Sequence, residues 1–103
     1  MRVELRIEAR EDLAEGAAFY DRQRAGLGDY FIESIFTDLE SLESLGSQAG
    51  IHEVIFGFHR KLAFRFPFAI YYLVVGTLID VVAVLDCRRD PAKLQRRLRQ
   101  TRS

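Results

Sequence analysis

The chain has 103 residues, 49% of them hydrophobic and 12% aromatic, and its 15 Lys and Arg balance 15 Asp and Glu. That length and apolar content set one domain, residues 1–103, with a core of its own. The lone Cys87 excludes an intramolecular disulfide and fits a reducing compartment. The zero net charge hides an asymmetry. Residues 1–50 carry five Arg against eleven acids, a net of −6, and residues 51–103 carry ten Lys and Arg against four acids, a net of +6. The basic half, in which Arg far outnumbers Lys, favours an anionic partner. A genome rich in G and C would raise Arg use in the same way, and composition leaves both readings open.

Arg2 to Glu8 alternates, with Val3, Leu5 and Ile7 on one side and Arg2, Glu4, Arg6 and Glu8 on the other, the pattern of a half-buried strand. This start shows no apolar signal segment, so a cytoplasmic protein is expected. Ala9 to about Arg24 is read as a helix with Leu13, Ala17 and Tyr20 on its apolar stripe. Glu11, Asp12 and Glu15 fall in its first turns and Arg22 and Arg24 in its last, as the helix dipole favours. Gly26-Leu27-Gly28 reads as a helix–helix corner rather than a phosphate loop, which needs a preceding strand and more glycine. Asp29 to about Leu45 is a second amphipathic helix, with Phe31, Ile35, Leu39, Leu42 and Leu45 inward. Its acidic outer face is assigned to solvent. Gly46 to Gly50 is a loop.

The second half is rich in β-branched and aromatic residues. Strands are expected over Gly57 to Phe66, Phe68 to Val75 and Leu78 to Asp86, after a beginning of sheet around Ile51 to Phe56 where Gly57 marks a bulge or bend. Pro67 lacks an amide donor and separates two strands, and Gly76-Thr77 has the composition of a two-residue hairpin turn. Ala69 to Leu85 is almost long enough to cross a bilayer, but Asp80 and Gly76-Thr77 interrupt it, so buried strands are preferred and no membrane association is expected. Asp90-Pro91 opens a short basic helix, Ala92 to about Gln100, anchored only by Leu94 and Leu98.

The order β-α-α-β-β-β-α predicts an α+β two-layer sandwich, with the two N-terminal helices packed on a mostly antiparallel sheet. His52 and His59 stand seven apart with no cysteine pair, so neither metal nor cofactor is expected.

Several stretches together resemble the RelE/ParE toxin superfamily. They are Phe19-Tyr20, Gly26-Leu27-Gly28, Phe31, Arg60-Lys61, Arg65-Phe66-Pro67-Phe68 and Ile70-Tyr71-Tyr72. The run Val84-Leu85-Asp86-Cys87-Arg88-Arg89-Asp90-Pro91 completes them. The resemblance covers nearly the whole chain through the order and spacing of these motifs. It implies the toxin of a bacterial type II toxin–antitoxin system, of the kind also called plasmid stabilisation proteins, held inactive by a cognate antitoxin. RelE-like members cut messenger RNA in the ribosome, whereas ParE-like members inhibit DNA gyrase and do no RNA chemistry, so the resemblance leaves the mechanism open between these two. A decayed, non-toxic binding module is a further alternative, and a sequence-specific DNA binder ranks last because no helix-turn-helix is present.

RNA cleavage needs a base, charge stabilisation at the phosphate and a proton for the leaving oxygen. Arg65, Arg88 and Arg89 are the expected phosphate or target contacts, with Arg60, Lys61, Arg96 and Arg97 as further binding residues. Arg65 is out of phase with Leu62, Phe64 and Phe66 and should leave the helix-covered face to meet Arg88 and Arg89. The opposite reading pairs these arginines with Glu53, Asp86 and Asp90 and gives them no function. RNA-cutting relatives place His or Tyr near the last strand's end, where this chain has Asp86-Cys87. Asp86 is thus the candidate acid/base, although a solvated carboxylate has a pKa of ~4. His59, Tyr71 and Tyr72 are the substitutes.

Overall fold

A computed structural model describes residues 1–101, so the last two residues of the expected domain lie outside the described part. The elements are β1 (Arg2–Leu5), α1 (Ile7–Gln23), α2 (Leu27–Leu45), a 3₁₀ segment (Gly46–Ile51), β2 (Val54–Ile55), β3 (Phe58–Leu62), β4 (Phe68–Val75), β5 (Leu78–Asp86) and α3 (Pro91–Gln100). The five strands form one sheet in the order β1-β5-β4-β3-β2. β2 to β5 are an antiparallel meander, and β1 lies parallel to β5, with Arg2 opposite Leu78 and Leu5 opposite Val81. The fold is α+β, as the order of elements implies.

Local chemistry explains the elements. The apolar run that equals a membrane span in length folds as β4 and β5 around Gly76, whose φ of 61° starts the turn between Val75 and Leu78. Asp80, the charge inside that run, pairs with Arg6 through Nη2 at 2.7 Å and Nε at 3.1 Å. No described helix is long and apolar enough to cross a membrane. Asp90 caps α3 by accepting from Ala92 N at 3.0 Å, with Pro91 in the first helical turn. Tyr72, fully buried, donates its hydroxyl to the Ala49 carbonyl and accepts from His52 Nδ1 at 2.6 Å, tying the 3₁₀ segment to the sheet. Burial pushes the Tyr72 phenol up to about 12.

Three expectations are corrected. The first strand stops at Leu5, and Ile7 begins α1 with its side chain 69% exposed. β5 has a register shift opposite Tyr71 and Tyr72, just past the point where β1 ends, and such a bulge turns the edge away from a partner strand. β3 ends at Leu62, four residues early, because Ala63 N bonds Phe68 O at 2.8 Å and turns residues 63–67 into a loop. Gly57, with Phe56, forms a two-residue hairpin turn in which both φ are positive, 86° and 53°.

The two faces of the sheet carry separate cores. On one, α1 and α2 place Leu13, Tyr20, Phe31, Ile35, Leu39 and Leu42 over Phe68, Ile70, Tyr72, Ile79, Val81 and Val84. On the other, α3 sets Leu98 and the partly buried Leu94 against Phe58, Ala69, Tyr71, Val82, Ala83 and Leu85. The tail helix thus adds a partial layer to the two that the N-terminal helices and the sheet make.

Candidate functional site

At one end of the sheet, loop 63–67 and the turn after β5 meet the C-terminal half of α1 and the start of α2. Phe66 points into the core there, its ring centroid 4.8 Å from Tyr20, 5.1 Å from Phe31 and 5.7 Å from Tyr30. The row Tyr20, Phe66, Tyr30 separates two sets of charged side chains.

On the α1 side stand Asp86, Arg88 and Arg89. Arg88 gives its backbone N–H (2.8 Å), Nε (3.0 Å) and Nη2 (2.7 Å) to the Asp86 carboxylate. These bonds hold the Asp86 carboxyl below the usual carboxylate range and raise the Arg88 guanidinium, which also reaches the Tyr20 hydroxyl. Arg89 lines an open groove of about 400 Å³ with Asp12, Phe19, Arg22 and Asp86. On the α2 side stand Lys61 and Arg65, beside a groove of about 390 Å³ that includes Asp38. Arg65 Nη1 donates to the Tyr30 hydroxyl at 2.7 Å, and its guanidinium carbon lies 5.7 Å from the Tyr30 ring and 5.8 Å from that of Phe64.

Arg65, expected beside Arg88 and Arg89, instead bonds Tyr30 and lines a different groove from Arg89, while Arg88 is bonded to Asp86. Residues 63–67 are a loop, so strand alternation does not govern them. Leu62 pairs with Ala69 on the tail-helix face, Phe64 is 83% exposed, Ala63 and Phe66 pack against the core, and Arg65 is drawn to α2. Arg60 lies on the opposite face, opposite Tyr71 in register and ion-paired to Glu53. Arg96 is exposed on α3. Arg97, expected on a binding surface, instead donates Nη1 to Asp12 Oδ1 at 2.7 Å and Nη2 to Oδ2 at 2.9 Å.

Asp12 is 7% exposed and also accepts from Val84 N at 3.0 Å, occupying the β5 edge that β1 leaves open. A carboxylate away from water requires such partners. The sequence signal for this was present: Asp12 lies between Ala9, Leu13 and Gly16 on the buried stripe. Asp38, on the stripe of α2 between Ile35 and Leu42, gives the same signal. It accepts from Phe64 N at 3.3 Å, and burial raises its carboxyl.

The chemistry open to the arginine end is anion or carboxylate binding. Asp86 is held ionised, and desolvation raises the Tyr20 phenol. The histidines sit elsewhere. His59 faces Tyr72 on β4, four residues from Phe68, which faces Asp86. That is about 13 Å along the strand. Neither His59 nor Tyr72 reaches the arginines, and Tyr71 lies on the other face.

No family model matches the sequence, and no curated protein matches it. The chain is similar to a chain of a solved structure described as "Chromosomal ParDE TA system from P. aeruginosa", with a TM-score of 0.60 and 17% identity, over 82% of this chain and 92% of that chain. At that identity the likeness is one of fold.

Proposed function

We propose that this chain is the toxin of a type II toxin–antitoxin pair. In this reading it acts in the cytoplasm by binding and blocking a protein target, as a ParE-like inhibitor of DNA gyrase. The fold it shares with a chain of a ParDE toxin–antitoxin system, over most of both chains, supports the toxin part. One observation carries the choice of blocking over cutting: Asp86, near the strand end where many RNA-cutting relatives place His or Tyr, is locked in three hydrogen bonds from Arg88 and held ionised. A group so far from the working pH is a poor general acid.

The cognate antitoxin has a suitable seat. A groove of about 510 Å³ runs between α1 and α2 above β1, lined by apolar side chains that include Val3, Leu5, Leu13, Ile32 and Phe36. β1 is the outer strand of the sheet, unpaired on its far side among the described residues, so an extended or helical segment that orders on binding fits there.

The test is induction of the chain without its antitoxin while nucleic acids are followed. Growth arrest with intact mRNA and gyrase-linked DNA breaks is expected. Rapid mRNA cutting would replace the blocking mechanism with a ribonuclease. Absence of any growth effect would overturn the toxin reading and leave a decayed binding module.

A further inference from the structure

We propose that loop 63–67 is the surface with which this chain grips its target, Phe64 entering an apolar socket on a protein while Lys61 and Arg65 meet acidic groups on the socket's rim. This rests on the toxin reading above and names the contact that reading lacks.

Phe64, at 83% exposure, is the most exposed large apolar side chain among the described residues. A single exposed phenylalanine on a mobile loop means little, but this loop is fixed at every residue. Ala63 N bonds Phe68 O, Phe68 N bonds Phe66 O and Cys87 N bonds Pro67 O, each at 2.8 Å. Phe66 is partly buried and packs its ring into the aromatic row, and Arg65 is held by Tyr30. The residue whose side chain points outward has its own tie: Phe64 N donates to Asp38, a carboxylate only 5% exposed. Burying that carboxylate disfavours its charge, so the fold accepts a cost to hold the backbone of Phe64 in place. A rigid aromatic displayed in advance loses little conformational entropy on binding, and such residues dominate interface energies.

The surroundings choose the partner. Lys61 and Arg65 stand beside Phe64 and, with Asp38 buried, Glu33 is the one exposed acid of the groove, so its outer lining is basic on balance and suits an acidic rim on the socket. Glu33 and the hydroxyls of Ser34 and Thr37 line the same groove, and this mixed polarity suits a protein surface better than a chain of phosphates. The loop also lies on the β3 side of α2, whereas the apolar groove at Ile32 and Phe36 opens on the β1 side. Target and antitoxin therefore have separate seats.

The test uses the full chain and its Phe64→Ala and Arg65→Glu variants. Growth arrest on induction, inhibition of purified gyrase supercoiling, antitoxin affinity by calorimetry and thermal unfolding are the readouts. Phe64→Ala is expected to raise the inhibitory concentration at least ~10-fold, the scale of an interface hot spot. Antitoxin affinity should stay within about twofold, and the melting temperature should hardly move, as for other exposed positions. Arg65→Glu should weaken inhibition less, with a steeper salt dependence in the wild type than in the variant. Unchanged arrest and inhibition with Phe64→Ala would overturn the proposal. So would loss of antitoxin binding in parallel with arrest, or binding of a single-stranded RNA 20-mer that Phe64→Ala abolishes. A wild type that arrests no growth would instead remove the toxin reading and the proposal together.

Discussion

The two faces of the sheet are closed by different means. Over the first, α1 and α2 lay down a broad apolar layer that includes Phe31, Ile35, Leu39 and Leu42, all buried. Over the second, the shorter α3 offers Leu98, part of Leu94 and one ion pair, Arg97 to Asp12. Area is non-directional, so the first face tolerates swaps that keep volume. The second depends on a few directed bonds, and one of them also satisfies the edge of β5. The same contrast separates the arginines: Arg88 and Arg97 are engaged in internal pairs, whereas Arg65 stands beside an exposed aromatic.

The largest effect expected from a single change is on the first face. Phe31→Ala removes a ring in contact with Tyr20, Phe66 and Phe68 and should cost about 3–5 kcal/mol in urea unfolding. Phe31→Leu should cost clearly less. If the two are equal, shape and not area governs that core.

On the second face, Asp12→Ala strands Arg97, whose side chain is 21% exposed, and leaves Val84 N without its acceptor. A loss of about 3 kcal/mol is expected, at the lower end for breaking a buried pair. Arg97→Ala should cost a similar amount, and the double variant less than their sum. Hydrogen exchange should show α3 amides losing protection before those of β4. Uniform loss across the fold would mean that the two faces unfold as one.

The smallest effect concerns His52, where burial, with Lys61 and His59 nearby, pushes the imidazole down from its ordinary value. The unfolded chain then takes up the proton first. Stability from this group is present above about pH 6.5 and is lost as pH falls through the window below it. Between pH 7.5 and 6.0, chosen to lie above the carboxylate range, the melting temperature of the wild type should fall more than that of His52→Gln. Equal slopes would show that another group sets the acid response.

Much of this was legible in the sequence where the signal was local. β4 and β5 run over the residues their composition marked, since Pro67, Gly76 and the end of the apolar run are punctuation that acts within a few positions. Asp90-Pro91 likewise named its own helix start. The ion pair of Asp12 with Arg97 was not legible as a pair, because 85 positions separate the partners. Only the odd placement of a carboxylate on a buried stripe announced it. Strand alternation misplaces Arg65 because the strand ends at Leu62, where Ala63 N bonds Phe68 O. The exposure of Phe64 is hidden for the same reason: alternation from Leu62 to Phe66 assigns its side chain to the covered face, whereas the loop turns it outward.

The parallel pairing of β1 with β5 also bears on how the protein is made. Arg2 is made before its neighbour Leu78, which is added only after both long helices and three other strands. Until then the first strand has nowhere to dock, and a nascent chain displays an unfinished sheet. Synthesis interrupted before β5 would therefore release a fragment unable to close its core.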